Sequence, residues 1–274
     1  MRSLEVKTPD ELTIAASEWG NASGAEIVFI HGLSQCSLAW MRQLTDAELS
    51  REFRMIAYDL RGHGASDKPL EKEKYSQDRL WADELAAVIA AAGSRRPILV
   101  GWSYGGRVIS DYVRAHGRER IAGINFVAAV TKSGNEFLGP GIKNISGMIS
   151  DDLATSIAAA RAFLRACFAT QPSDDDFETM LAYNMVVPAR IRAAVISRTP
   201  NPGDLLAKLA VPVLVTHGAH DRIVLPALGQ FTAAAIPNAQ LSIFEGAGHS
   251  PFYEDAPRFN RELAAFVRAA RGIR

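Results

Sequence analysis

The residues best suited to covalent chemistry lie in Pro97 to Gly106, which reads Pro-Ile-Leu-Val-Gly-Trp-Ser-Tyr-Gly-Gly. Within it, Gly101-Trp102-Ser103-Tyr104-Gly105 fits the G-x-S-x-G pattern that puts a serine at the apex of a strand-to-helix turn. Ile98, Leu99 and Val100 form a continuous apolar run, which predicts a strand buried on both faces. After the turn, Val108, Ile109, Tyr112 and Val113 recur at helical spacing to about His116. A serine in a strained apex draws the residues two before and two after it together, so neither can carry a Cβ. Its hydroxyl is then presented at a helix N-terminus, where free N–H groups and the helix dipole favour developing negative charge. The motif alone is common. It becomes specific only if a base, an acid and oxyanion donors stand in the right places.

A serine hydroxyl is a weak nucleophile until a neighbour takes its proton. Of the six histidines, His116 falls late on the helix after the turn. His31 and His63 sit in glycine loops and read as loop-shaping hydrogen-bonders, and His217 and His220 flank Gly218-Ala219. His249 is the candidate base. It lies in Glu245-Gly246-Ala247-Gly248-His249-Ser250-Pro251, after the last apolar strand and before the final helix. A carboxylate is needed on its second nitrogen, to fix the tautomer and stabilise the imidazolium. Asp221 follows the strand Val213 to Thr216 and completes the chain order Ser, Asp, His. Asp59 also follows a strand, but it precedes the serine and is expected to bond the turn Arg61 to Gly64. Attack on a carbonyl makes an oxyanion, best held by backbone N–H groups. Tyr104 supplies one donor and the loop His31-Gly32-Leu33 the other, at Leu33. Ser34, Gln35 and Cys36 belong to the same loop. Cys36 lacks an evident base partner and is the weaker nucleophile candidate.

These residues need a scaffold that brings them to one edge. Apolar runs at Ile27 to Ile30, Met55 to Tyr58, Ile98 to Val100, Ile121 to Val127, Val213 to Thr216 and Gln240 to Phe244 predict strands. Helical patterns at about Leu38 to Leu49, Ser76 to Ala92, Pro226 to Ala235 and Pro257 to Ala270 alternate with them. Alternation predicts an α/β fold with a mostly parallel sheet covered on both faces, and ligands bind beyond the carboxyl ends of such strands. Leu4 to Lys7 and Leu12 to Ser17 predict an antiparallel hairpin. Thr131 to Asp204 interrupts the alternation with helical segments at Asp151 to Ala169, Asp175 to Tyr183 and Ala189 to Ser197. It reads as a helical cap (131–204) inserted into a core of residues 1–130 and 205–274. Asp174-Asp175-Asp176 reads as a solvated helix start rather than a metal site.

Composition excludes several classes. Thirty Lys and Arg balance thirty Asp and Glu over 274 residues, so no global field draws the chain to nucleic acid or an anionic membrane. No apolar run approaches membrane-spanning length, about 20 residues. Two cysteines make neither a disulfide framework nor a metal cluster. A soluble, cytoplasmic protein is expected.

Taken together, His31-Gly32, Asp59-Leu60-Arg61-Gly62-His63-Gly64-Ala65-Ser66, the Ser103 turn, His217-Gly218 through Asp221, and Gly248-His249 resemble the α/β-hydrolase family over nearly the whole chain. Gly101 to Gly106 is similar to its serine esterases grouped with cofactor-free haloperoxidases, or perhydrolases. The resemblance implies an eight-stranded sheet with one antiparallel strand, a cap after strand six and a Ser103–His249–Asp221 triad. It implies cleavage of small carboxylic esters through an acyl-enzyme, with no metal or organic cofactor, and perhydrolysis as a side activity. Members with aspartate at the elbow are dehalogenases and epoxide hydrolases, and Ser103 argues against both. C–C bond hydrolases, lyases, lactonases and slow-turnover receptors share the scaffold and stay open. Trp102, Met148 and Phe163 are candidates for the substrate pocket, though helical spacing serves equally for the cap's own packing. Oligomeric state is open.

Overall fold

The computed structural model describes residues 1–198 and 205–273. They form eight strands: β1 (Arg2–Lys7), β2 (Thr13–Gly20), β3 (Ala25–Ile30), β4 (Phe53–Tyr58), β5 (Ile98–Trp102), β6 (Gly123–Val127), β7 (Val213–Gly218) and β8 (Gln240–Phe244). All belong to one sheet, in the order β1-β2-β4-β3-β5-β6-β7-β8. β2 runs antiparallel to β1 and β4, and the remaining pairs are parallel. The sheet thus carries the single reversed strand that the resemblance implies.

The apolar runs explain this topology. β5, β6 and β7 are buried at every position, as expected when helices cover both faces. Successive side chains feed opposite cores, following the strand's period of two. Val28, Ile30 and Leu99 pack with Trp81, Leu85 and Val108 of helices Asp78–Ala91 and Tyr104–His116. Ile27, Phe29, Ile98 and Val100 pack on the other face with Trp40, Phe259 and Leu263. Phe29 is fully buried, so Phe29→Ala costs about 3–5 kcal/mol. Because β3 to β8 are parallel, the loops starting at His31, Asp59, Ser103, Ala219 and Glu245 all leave one rim.

Some boundaries differ from those the periodicity suggests. The helix expected over Leu38 to Leu49 is broken into Ser37–Trp40, Met41–Leu44 and Ala47–Glu52. Asp46 causes the last break: its carboxylate accepts the Leu49 N–H at 2.8 Å and starts a new helix. The helix expected from Ser76 begins at Asp78, because Gln77 is extended. Ile121 and Ala122 precede β6 rather than joining it.

Between β6 and β7 the chain leaves the sheet and builds a helical layer, with longer helices at Leu153–Ala166, Asp174–Met185 and Ala189–Ile196. Asp152 and Ser173 cap the first two. Met148, Phe163, Leu164, Phe177 and Met180 cluster with Cys36, Ile223, Val224 and Leu228, while Val187, Ile191 and Val195 join the apolar cluster on one face of the sheet. The expected end of the insertion at Asp204 lies outside the described residues.

Candidate active site

Ser103 stands between β5 and helix Tyr104–His116 with φ +53° and ψ −111°. That conformation is strained for a residue with a Cβ. Three hydrogen bonds hold it: the Ser103 N–H donates to Val127 O and the Val130 N–H donates to Ser103 O, each at 2.9 Å, and the Gly106 N–H donates to Ser103 O at 3.1 Å. The flanking glycines have steric reasons. A Cβ on Gly101 would lie 2.8 Å from the Gly105 carbonyl, and one on Gly105 would lie 2.4 Å from Ile30 O.

Trp102, beside Ser103, donates its indole N–H to the His249 carbonyl at 2.8 Å. Its ring lies 5.7 Å from the His249 ring, centroid to centroid. His249 Nδ1 is 2.7 Å from Asp221 Oδ2. The carboxylate therefore takes the Nδ1–H, which leaves Nε2 as the imidazole's basic nitrogen. Asp221 is buried and its acceptor oxygens are engaged. Oδ1 takes the N–H groups of Ile223 and Val224 at 2.8 and 3.0 Å, and Oδ2 is also 3.0 Å from His217 Nε2. Burial alone would raise its pKa, but the His249 charge and the bonds from His217 and His249 hold it down at about 2.

The histidine loop is braced by the helical layer between β6 and β7. The His249 N–H donates to Cys167 O at 2.8 Å. Glu254 bridges the two segments: Oε1 accepts the Gly248 N–H at 2.7 Å, while Oε2 accepts those of Ala169 and Thr170 at 2.7 and 2.9 Å. Neither the Cys167 carbonyl nor Glu254 is evident as a site residue in sequence. A backbone acceptor carries no signature, and a glutamate in a C-terminal helix reads as surface.

The loop after β3 passes over the serine, since a Cβ built on Gly32 would lie 3.3 Å from Ser103 Cβ. Three side chains fix it. His31 Nε2 accepts the Leu60 N–H at 3.0 Å, and His63 Nε2 accepts the Ser34 N–H at 3.1 Å. Asp59 accepts from Ser37 at 2.7 Å and from Ala65 at 2.8 Å. Asp59 thus ties the two loops together, which is more than the bonding of its own turn suggested by its position. Burial, reinforced by the neighbouring His31, drives the His63 pKa down to about 3. The Leu33 N–H has no acceptor among the described residues. Tyr104 is the first residue of its helix, where N–H groups lack intrahelical partners. The Tyr104 side chain points elsewhere, its hydroxyl accepting from Arg198 at 2.6 Å.

Near these residues is a narrow cavity of about 10 Å³, room for about one water molecule. Gln35, Ala39 and Trp102, and Leu164, Phe168, Met180 and Tyr183 from the helical layer between β6 and β7, are among its walls. Met148 and Phe163, candidates on apolar character, are not among those walls. They are buried in the apolar cluster that also holds Leu164 and Phe177, and the Met148 carbonyl accepts from Arg192 at 2.9 Å. Burial and the Asp59 charge push the Cys36 thiol up to about 12, which removes it as a nucleophile. No cluster of metal-ligating side chains occurs among the described residues, and no helix among them is long and apolar enough to cross a membrane.

A sheet of this topology with a strained serine at the central strand's end defines a class, and the comparisons agree with it. The chain matches the model of the alpha/beta hydrolase family over residues 27–262 and belongs to that family. It is similar to the crystal structure of a putative aryl esterase from Burkholderia cenocepacia, at 39% identity and a TM-score of 0.95, covering 99% of this chain and 100% of the other. The esterase RhEst1 from Rhodococcus sp. ECU1013 is 36% identical with a TM-score of 0.92, covering 98% and 100%. Among curated relatives, the non-heme chloroperoxidase CPO-A1 of Kitasatospora aureofaciens is 30% identical, covering 95% of this chain and 98% of the relative.

Proposed function

We propose that this chain hydrolyses small carboxylic esters through an acyl-enzyme on Ser103, with His249 as base and Asp221 as its carboxylate partner. That it is a carboxylic-ester hydrolase of the α/β type is supported by the family match and by the esterases it resembles. The observation that carries the residue assignment is the 2.7 Å bond from His249 Nδ1 to Asp221 Oδ2, on a histidine whose carbonyl is tied to the residue beside Ser103.

In this reading His249 Nε2 takes the Ser103 proton as Oγ bonds to the ester carbonyl carbon. The Leu33 and Tyr104 N–H groups hold the oxyanion. As the tetrahedral intermediate collapses, the C–O bond to the alcohol breaks and His249 returns the proton to it. Water then repeats the sequence and releases the acid. Hydrogen peroxide in place of water would release a peracid, a side activity consistent with the likeness to a chloroperoxidase.

Residues 131–204 act as the cap that selects the substrate, a reading supported by the helices Leu153–Ala166, Asp174–Met185 and Ala189–Ile196 between β6 and β7 and by Leu164, Phe168, Met180 and Tyr183 at the cavity. Two free, buried cysteines are compatible with a cytoplasmic setting. The test is intact-mass analysis after treatment with an organophosphate, followed by peptide mapping. A single adduct on Ser103 supports the mechanism, and an adduct elsewhere with Ser103 unmodified contradicts it.

A further inference from the structure

Asp221 Oδ2 serves two imidazoles, His249 Nδ1 at 2.7 Å and His217 Nε2 at 3.0 Å. His217 Nε2 also lies 2.9 Å from Val224 O. Both of its neighbours are acceptors, so Nε2 carries the hydrogen and divides it between them. His217 Nδ1 is buried and has no partner. Helix Pro226–Ala235 closes off that side of the ring, and a Cβ built on Gly229 would stand 2.6 Å from Nδ1. Gly229 has ordinary helical φ, so no left-handed backbone requires it. Glycine inside a helix is unfavourable relative to alanine. Room for the His217 ring is the reason the structure offers for it.

Resting on the Ser103–His249–Asp221 reading, we propose that His217 is a positioning residue for that relay, seated by Gly229. It anchors the carboxylate and takes up part of the charge on Oδ2. In doing so it sets how strongly Asp221 grips the imidazolium formed on His249. The other titratable groups facing Asp221 are His249 itself, from the loop after β8, and Cys167, from the cap, whose thiol burial pushes far up. Neither offers a second donor to Oδ2 that could replace His217.

The test compares wild type with His217→Phe, His217→Gln and Gly229→Ala, following kcat, KM and the pH profile of kcat/KM on an activated aryl ester. His217→Phe keeps bulk and loses the donor. It should lower kcat about tenfold with KM within about twofold, and move the acid limb of kcat/KM up by about half to one pH unit. His217→Gln restores an N–H and should recover most of the lost kcat. Gly229→Ala pushes on the ring without touching Asp221 and should move kcat and the limb in the same direction as His217→Phe. Wild-type kcat and pH profile in folded His217→Phe overturn the proposal. Should His217→Phe not fold, an unchanged kcat and profile in Gly229→Ala overturn it instead. Ser103→Ala is assayed alongside. If it retains turnover, the triad reading and this inference fall together. If it is inactive while the His217 and Gly229 variants behave as wild type, only this inference falls.

Discussion

The Trp102 indole N–H donates to the His249 carbonyl at 2.8 Å, so the residue next to the serine holds the backbone of the histidine. The bond spans 147 positions in the chain. It fixes the His249 backbone relative to the turn that carries Ser103.

Trp102→Phe keeps an aromatic ring but leaves the buried His249 carbonyl unpaired. Loss of that bond should cost about 1–3 kcal/mol of stability. It should also lower kcat about tenfold by letting the histidine loop drift. Thermal unfolding and steady-state kinetics on one aryl ester check both effects. Unchanged kcat would mean that the loop is held by other contacts.

Glu254 joins Ala169 and Thr170 to the histidine loop through three backbone N–H groups. In Glu254→Gln the amide NH₂ must face one of those donors. The expected result is faster hydrogen exchange at residues 167–170 and 248–250, with a several-fold fall in kcat. Exchange that quickens in the cap alone would show that the two segments are not coupled.

Asp221 gives the fold an acid-sensitive contribution. Its folded pKa, about 2, lies below the ordinary 3.8. The stabilisation is therefore present above about pH 4 and is lost as pH falls through 2, amounting to about 2 kcal/mol at neutral pH. Asp221→Asn removes this dependence. Its stability should fall less steeply than that of wild type between pH 4 and 2, and its kcat should drop on the order of 10⁴-fold. Parallel acid-unfolding curves for the two proteins would rule out the assigned protonation state.

Tyr253 lines the narrow cavity, and its hydroxyl donates to Asp176 of cap helix Asp174–Met185 at 2.5 Å. Arg42 stacks on the Tyr253 ring at 3.8 Å and bonds the same carboxylate at 3.3 Å. Tyr253→Phe loosens this latch. Relative kcat/KM for bulky over small acyl esters should rise several-fold. A chain-length series with an unchanged profile would separate the latch from substrate selection.

Much of the scaffold is legible in the sequence because buried parallel strands leave continuous apolar runs, as in Ile98 to Val100 and Val213 to Thr216. Asp221 is legible as a candidate because it follows such a run, and His249 because it follows the last strand, Gln240 to Phe244, in a glycine-rich loop. The contacts that hold them are not. Glu254 and the Cys167 carbonyl act through backbone partners far away in the chain. His217 looks like one more loop histidine until its distance to Asp221 is known. Met148 and Phe163 illustrate the opposite difficulty. Their apolar spacing serves a pocket wall and helix packing equally, and in the fold both are buried away from the cavity, in the cluster that holds Leu164 and Phe177.

The most direct measurement is the turnover of purified, folded Ser103→Ala on an activated aryl ester. A loss on the order of 10⁶ in kcat is expected, by analogy with removal of the serine in a serine protease. Near-native turnover would contradict it, because the ester would then be cleaved without the one nucleophile on which every step depends.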